Sequence, residues 1–233
     1  MIAGKPQAKR HQAKRIKPAA MPSALTLKSL PLFPLGAVLF PGGLLQLRIF
    51  EVRYLDMIKR CHKAGAPFGV VLLTQGSEVR QPGHTEAFNS VGTLATITGL
   101  DAPQPGLLHV RATGGQRFRI TTSEQLKHGL WIADVEQMQT DLPVPIPDDL
   151  KAATTSLTKL IAALQEKASD PQEMPLQTPW QLDDCGWVAN RWCELLPLPA
   201  PLRQRLMELD NPLVRLELVN DLLSRTGIAG REY

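Results

Sequence analysis

Apolar positions recur mostly at every second place through the first half of the chain, the spacing of a strand with one buried face. In the second half they recur at three and four, the spacing of a helix. Residues 25–27 and 30–33 predict a first strand, ended by a turn at Pro34-Leu35-Gly36. Pro41-Gly42-Gly43 makes a second break, and 44–50 predict a second strand. The period then changes. In 51–64 Val52, Leu55, Ile58 and Cys61 recur at three-residue spacing with Tyr54 and Met57 beside them, an amphipathic helix stopped by Gly65. Residues 67–74 (PFGVVLLT) are a short apolar run that predicts a buried strand, and 75–90 are polar enough for a surface loop. Strands follow at 91–100 and 107–112 around a turn at 101–106. Gly114-Gly115 predicts another turn, with strands at 117–122 and 130–138 after it. Six or seven strands with one inserted helix predict a small, partly closed β-barrel.

Three prolines in 141–147 (DLPVPIP) predict a stiff linker and the best domain boundary. Asp148-Asp149 can cap a helix to about Lys167 with Leu150, Leu157, Leu160, Ile161 and Leu164 inside. A second helix is expected over 179–195, facing inward through Leu182, Val188, Trp192 and Leu195. Two more are expected over 200–209 and 211–225. The fold class is therefore α+β: an N-terminal β-barrel with one inserted helix, then a C-terminal helical bundle. The expected divisions are a basic tail at 1–22, a β domain at 23–142 and a helical subdomain at 143–233.

Charge changes the picture at one place. The net charge of +4 hides a tail whose first twenty residues carry six Lys or Arg and no acid. Without those six, 20 basic residues face 22 acidic ones, so the body is about −2. Such a tail could touch nucleic acid through phosphate charge or stand solvated. It has no apolar core of a secretory signal, and no apolar run long enough to span a membrane occurs. Three cysteines in no CxxC spacing fit neither a disulfide framework nor a zinc site and suit a reducing cytoplasm.

Two stretches carry a family pattern. The first is LPLFPLGAVLFPGGLLQLRIFEVRY at 30–54, with Phe33 and Pro34, then Phe40, Pro41 and Gly42, then Phe50, Glu51, Arg53 and Tyr54 as its marked positions. The second is VGTLA at 91–95 followed by GQRFRI at 115–120, with Arg117 and Phe118. In this order and spacing they resemble the N-terminal substrate-recognition domain of the Lon protease family. The Arg and Phe fit the family's spacing when measured from Gly114 rather than Gly115. The resemblance implies a PUA-like barrel followed by helices and a role in binding polypeptides. It is clear over about 25–140 and weaker through the helical end.

Most marked residues read as structural. Pro31, Pro34 and Pro41 fix torsions at strand ends, Gly42-Gly43 permits positive φ, and Phe33, Phe40 and Phe50 are expected core anchors. Glu51 is expected to pair with Arg111, Arg117 or another strand charge and so hold the helix on the barrel; alternatively Glu51 and Arg53 contact a substrate. A binder of unfolded chains needs exposed apolar groups. The candidates are Tyr54 and Met57 on the helix, Leu107 and Leu108 near the hairpin tip, and Trp180 and Trp187 in the helical part. Exposed edge strands could capture an extended peptide.

The usual marks of catalysis are missing from these 233 residues. No GxxxxGK[ST] loop and no GxSxG elbow occurs, and the five histidines show no HExxH or metal spacing. No catalytic residue, metal or cofactor is expected. The reading is a non-catalytic polypeptide-binding module, adaptor or chaperone-like, with unfolded or partly folded proteins as expected partners and a separate ATP-dependent protease as a further candidate. The alternative is an RNA-binding PUA-like module. The acidic body and a low aromatic content of 5% weigh against it.

Overall fold

The computed structural model describes residues 25–78, 86–170 and 174–226. The expected basic tail and residues 79–85 of the expected 75–90 loop lie outside the described residues; Gln75 and Ala87 to Ser90, expected in that loop, belong to strands that pair with each other or with their neighbours in the sheet. The described chain runs β1 (Thr26–Leu35), β2 (Leu44–Ile49), α1 (Val52–Ala64), β3 (Phe68–Gln75), β4 (Ala87–Gln104), β5 (Leu107–Gln125) and β6 (Trp131–Gln137). A 3-10 turn at Asp148–Leu150 leads into α2 (Lys151–Lys167), α3 (Cys185–Leu195), α4 (Ala200–Glu208) and α5 (Pro212–Thr226). The strand order is β2-β5-β4-β3-β1-β6, and β5 also pairs with β6. Five strands therefore close into a ring, and β2 is an appendage on the first half of β5. The β1–β3 pair is parallel because α1 crosses between β2 and β3 and returns the chain in the same direction.

Alternation along β2 and β5 separates two faces. Leu45, Leu47 and Ile49 pair with Ala112, Val110 and Leu108 on the core side. Leu44, Gln46 and Arg48 pair with Thr113, Arg111 and His109 on the outer side. α1 covers the core side with Tyr54, Met57, Ile58 and Cys61, an i, i+3, i+4, i+7 stripe. Gly65 ends the helix in the left-handed region at φ 60, bonding back to the last turn.

Several expectations need correction. Phe50 is not a core anchor: it is 58% exposed, because Ile49 takes the inward position and the pleat turns the next side chain out. Val52 is 73% exposed, since the buried stripe of α1 runs through Tyr54 rather than through Val52 and Leu55. Gly114-Gly115 is not a turn but lies inside β5. A Cβ on Gly114 would strike the carbonyl of Phe40, so this glycine marks a close backbone approach. β1 also continues through Pro34 and Leu35. The helix expected from 179 begins at Cys185, where Asp184 caps it by accepting the Trp187 amide at 2.8 Å. Trp180 therefore precedes the helix.

The helices pack on the barrel through the segment 38–43. Phe40 is fully buried among α2, α3, α4 and α5 residues such as Leu157, Val188, Leu206 and Leu216. Arg191 of α3 donates to the carbonyls of Pro41 (2.9 Å) and Gly42, and its Nε lies 3.1 Å from Glu194. Burial pushes the Glu194 carboxyl up to about 7, against the pull of Arg191 and the Phe40 amide. Arg117, buried on β5, donates to the carbonyls of Met207 and Leu209, both at 3.0 Å, and to Asp141 at 2.9 Å. Asp141 also accepts from buried Arg215 at 2.6 Å. One carboxylate thus gathers two arginines where barrel, connection and α5 meet.

Candidate polypeptide-binding surface

The junction of β2 and α1 builds a rigid platform under exposed apolar groups. Glu51 stands at the cap position of α1 with extended torsions, and its carbonyl accepts the amides of Tyr54 and Leu55. The side chain does not reach a strand arginine as expected. It accepts from Arg53 Nε at 3.2 Å. Arg53 is buried and spends its remaining donors on the Gly129 carbonyl (2.7 Å) and Glu86 (3.2 Å). Glu86 also accepts the Trp131 indole at 2.8 Å. The guanidinium lies 4.5 Å from the Tyr54 ring centroid, and Tyr54 stacks on Phe33 at 4.0 Å. Burial alone would pull Arg53 down, but Tyr54, Glu86 and Glu51 outweigh it and raise its pKa, so it stays charged. The strand-to-helix corner is therefore tied to the barrel from below, while Phe50 and Val52 project on either side of Glu51 into solvent. Two large apolar side chains thus stand exposed on a corner that is itself held in place.

Beside this patch lies β2, which among the described strands is the one with a single paired edge. A second region opens at the other end of β2. Leu44, Arg111, Met174, Leu176 and Trp180 line a cavity of about 490 Å³. A neighbouring one of about 410 Å³ carries Trp187, Pro41, Gly114 and Asn190, and both share Gln177 and Thr178. Among the described residues no group of three His, Cys, Asp or Glu stands as a metal site, and no helix is long and apolar enough to cross a membrane. The cysteines Cys61, Cys185 and Cys193 are buried and unbridged.

Residues 29–225 match the family of the ATP-dependent protease La (LON) substrate-binding domain. The chain belongs to that family. A Lon N-terminal domain protein from Xanthomonas campestris is 31% identical in sequence, and its crystal structure superposes with a TM-score of 0.64 over 84% of this chain and 98% of that one. The N-terminal domain of a Mycobacterium avium complex Lon protease shares the fold at 18% identity and a TM-score of 0.52. A Lon protease from Anaeromyxobacter dehalogenans (strain 2CP-C) is 24% identical over 217 residues. That alignment takes in 91% of this chain and 25% of the protease, so the chain spans about a quarter of that relative.

As a LON substrate-binding domain, the chain places its expected contact residues unevenly. Tyr54 and Met57 are each 3% exposed and Leu108 is 5% exposed, so they fill the barrel core and present no surface. Leu107 is half-buried beside the tight turn at Gly106. Trp180 and Trp187 are half-buried and line the two adjoining cavities. Phe33, Phe40 and Phe118 are buried. The most exposed apolar pair of this face, Phe50 and Val52, stands where the sequence pattern predicts core. The stripe at 54, 57, 58 and 61 is the signal that would have turned Val52 outward.

Proposed function

We propose that this chain is a non-catalytic polypeptide-binding module that holds apolar segments of non-native proteins on the Phe50–Val52 patch. The observation that carries this reading is the exposure of those two side chains on a corner fixed by Arg53, in a chain of the LON substrate-binding family. Trp180 and Trp187 offer a secondary apolar contact at the far end of β2. Delivery to a separate ATP-dependent protease in the cytoplasm follows from the reading as an adaptor role.

The test is binding of a permanently unfolded, reduced and alkylated protein and of mixed RNA, at low and moderate salt. Apolar binding survives moderate salt, whereas phosphate binding falls steeply with it. The expected result is salt-tolerant capture of the unfolded protein, no ATP turnover and no peptide cleavage. RNA binding that outlasts salt, with no unfolded-protein binding, would give the PUA-like RNA reading instead. Loss of RNA binding on deletion of residues 1–20 would assign that binding to the tail.

A further inference from the structure

We infer that the exposed face of α5 is the docking site of the chain's own basic N-terminal segment, residues 1–24. The inference is independent of the polypeptide-binding reading, because Phe50 and Val52 take no part in it. The first ground is place. The described chain begins at Leu25, whose carbonyl accepts the Gln137 amide at 2.9 Å. Met138, the residue after Gln137, lines a cavity of about 620 Å³ with Leu142, Val144, Asp210 and Pro212, and Pro212 is the first residue of α5. The segment is therefore tethered beside the first turn of that helix. The nine steps from Leu25 back to Ile16 reach up to roughly 30 Å when extended, whereas Val214 to Asp221 spans about 10 Å of helix.

The second ground is the chemistry of that face. Val214, Glu217, Leu218 and Asp221 recur at three- and four-residue spacing and all are exposed, while Leu216, Val219 and Leu223 turn inward. Val214 and Leu218 belong to a small set of large apolar side chains left exposed, and exposed Leu142 stands at the cavity beside them. Neighbouring acids are already matched: Asp148 pairs with Lys151, and Asp210 lies 3.4 Å from Arg117. Glu217 and Asp221 have no ion pair among the described residues, and the one cation that α5 exposes is Arg225, a full turn beyond Asp221. Residues 14–17, Lys-Arg-Ile-Lys, are the complement of this face, three cations around one apolar side chain, with Met21 nearer the tether. Ile16 suits the Val214–Leu218 pair, the cations suit Glu217 and Asp221, and Met21 suits the cavity beside Leu142. Each contact is weak alone, but the tether holds the segment at an effective concentration on the order of millimolar, enough for weak contacts to act together.

The experiment is limited trypsin digestion of the full chain, with cleavage after Arg10, Lys14 and Arg15 followed by mass spectrometry. A synthetic peptide of residues 1–24, digested separately, gives the rate for the undocked segment at each salt. At low salt the segment in the full chain should be cut about fivefold or more slowly than the peptide, and high salt should remove most of that protection. Glu217→Lys/Asp221→Lys should abolish the protection with the urea transition retained. Glu217→Gln/Asp221→Asn, which keeps the size of both side chains, should remove most of it. Val214→Ser/Leu218→Ser should weaken it at both salts. Cleavage in the full chain as fast as in the peptide would overturn the inference, and so would protection that both charge variants leave intact. Protection that rises with protein concentration would put the segment on a second copy and overturn docking within one chain.

Discussion

Arg53 shows how one buried charge can serve a surface. Its guanidinium meets Glu51, Glu86, the Gly129 carbonyl and the Tyr54 ring, so it joins α1 to the barrel from beneath the exposed corner. Arg53→Ala leaves the buried Glu86 carboxylate without its cation and should cost about 3 kcal/mol in urea unfolding. Glu51→Gln should cost about 1 kcal/mol or less, because Glu51 is more exposed than Glu86 and keeps a hydrogen-bonding oxygen. Glu194 makes the opposite kind of statement. Burial raises its folded pKa to about 7, above the ordinary 4.5, so between those values the folded state holds a proton that the unfolded state has lost. Its contribution therefore favours folding below about pH 4.5 and is lost as pH rises through 7. Thermal melting from pH 5 to 8 should show a decline that Glu194→Gln flattens. An identical pH profile for the two proteins would contradict the shift.

At the scale of elements, the sequence pattern located α1, the β4–β5 hairpin and the four helices of the second half. It did so because an amphipathic period is printed by burial itself. Its errors came where tertiary contact overrides local preference. Gly114 reads as a turn in isolation, yet it sits in mid-strand because the Phe40 carbonyl leaves no room for a Cβ. Gly114→Ala should destabilise by about 2 kcal/mol or more for that reason, measured by chemical denaturation. The apolar spacing of α1 predicts an inner stripe through Val52 and Leu55, beside the true one through Tyr54 and Met57, since Val52 and Tyr54 both fit an apolar helix side until the barrel covers one of them. The expected start of α3 at 179 precedes the true one because Trp180 and Leu182 continue the apolar run, while the cap is set by Asp184. The LON family pattern at 30–54 was legible because its prolines and glycines mark strand ends and the Phe40 approach.

On the scale of the whole molecule, barrel and helices are joined by a polar clamp that no local pattern reveals. Arg117 and Arg215 come from positions nearly a hundred residues apart and share Asp141. Asp141→Ala should destabilise by about 3 kcal/mol, since it leaves two buried guanidinium groups with less compensation. The candidate surface was only partly legible for the same reason: exposure is a property of the assembled sheet, and Phe50 looks like a core residue until Ile49 is seen to take the inward place. Phe50 and Val52, held by this scaffold, are the proposed contact for unfolded chains. The direct measurement is the affinity of Phe50→Ser/Val52→Ser for a permanently unfolded protein, read by anisotropy beside its urea transition. The expected result is binding weaker by about tenfold or more, for the loss of two large apolar contacts, with an unchanged transition. Undiminished affinity in a folded double variant would contradict it.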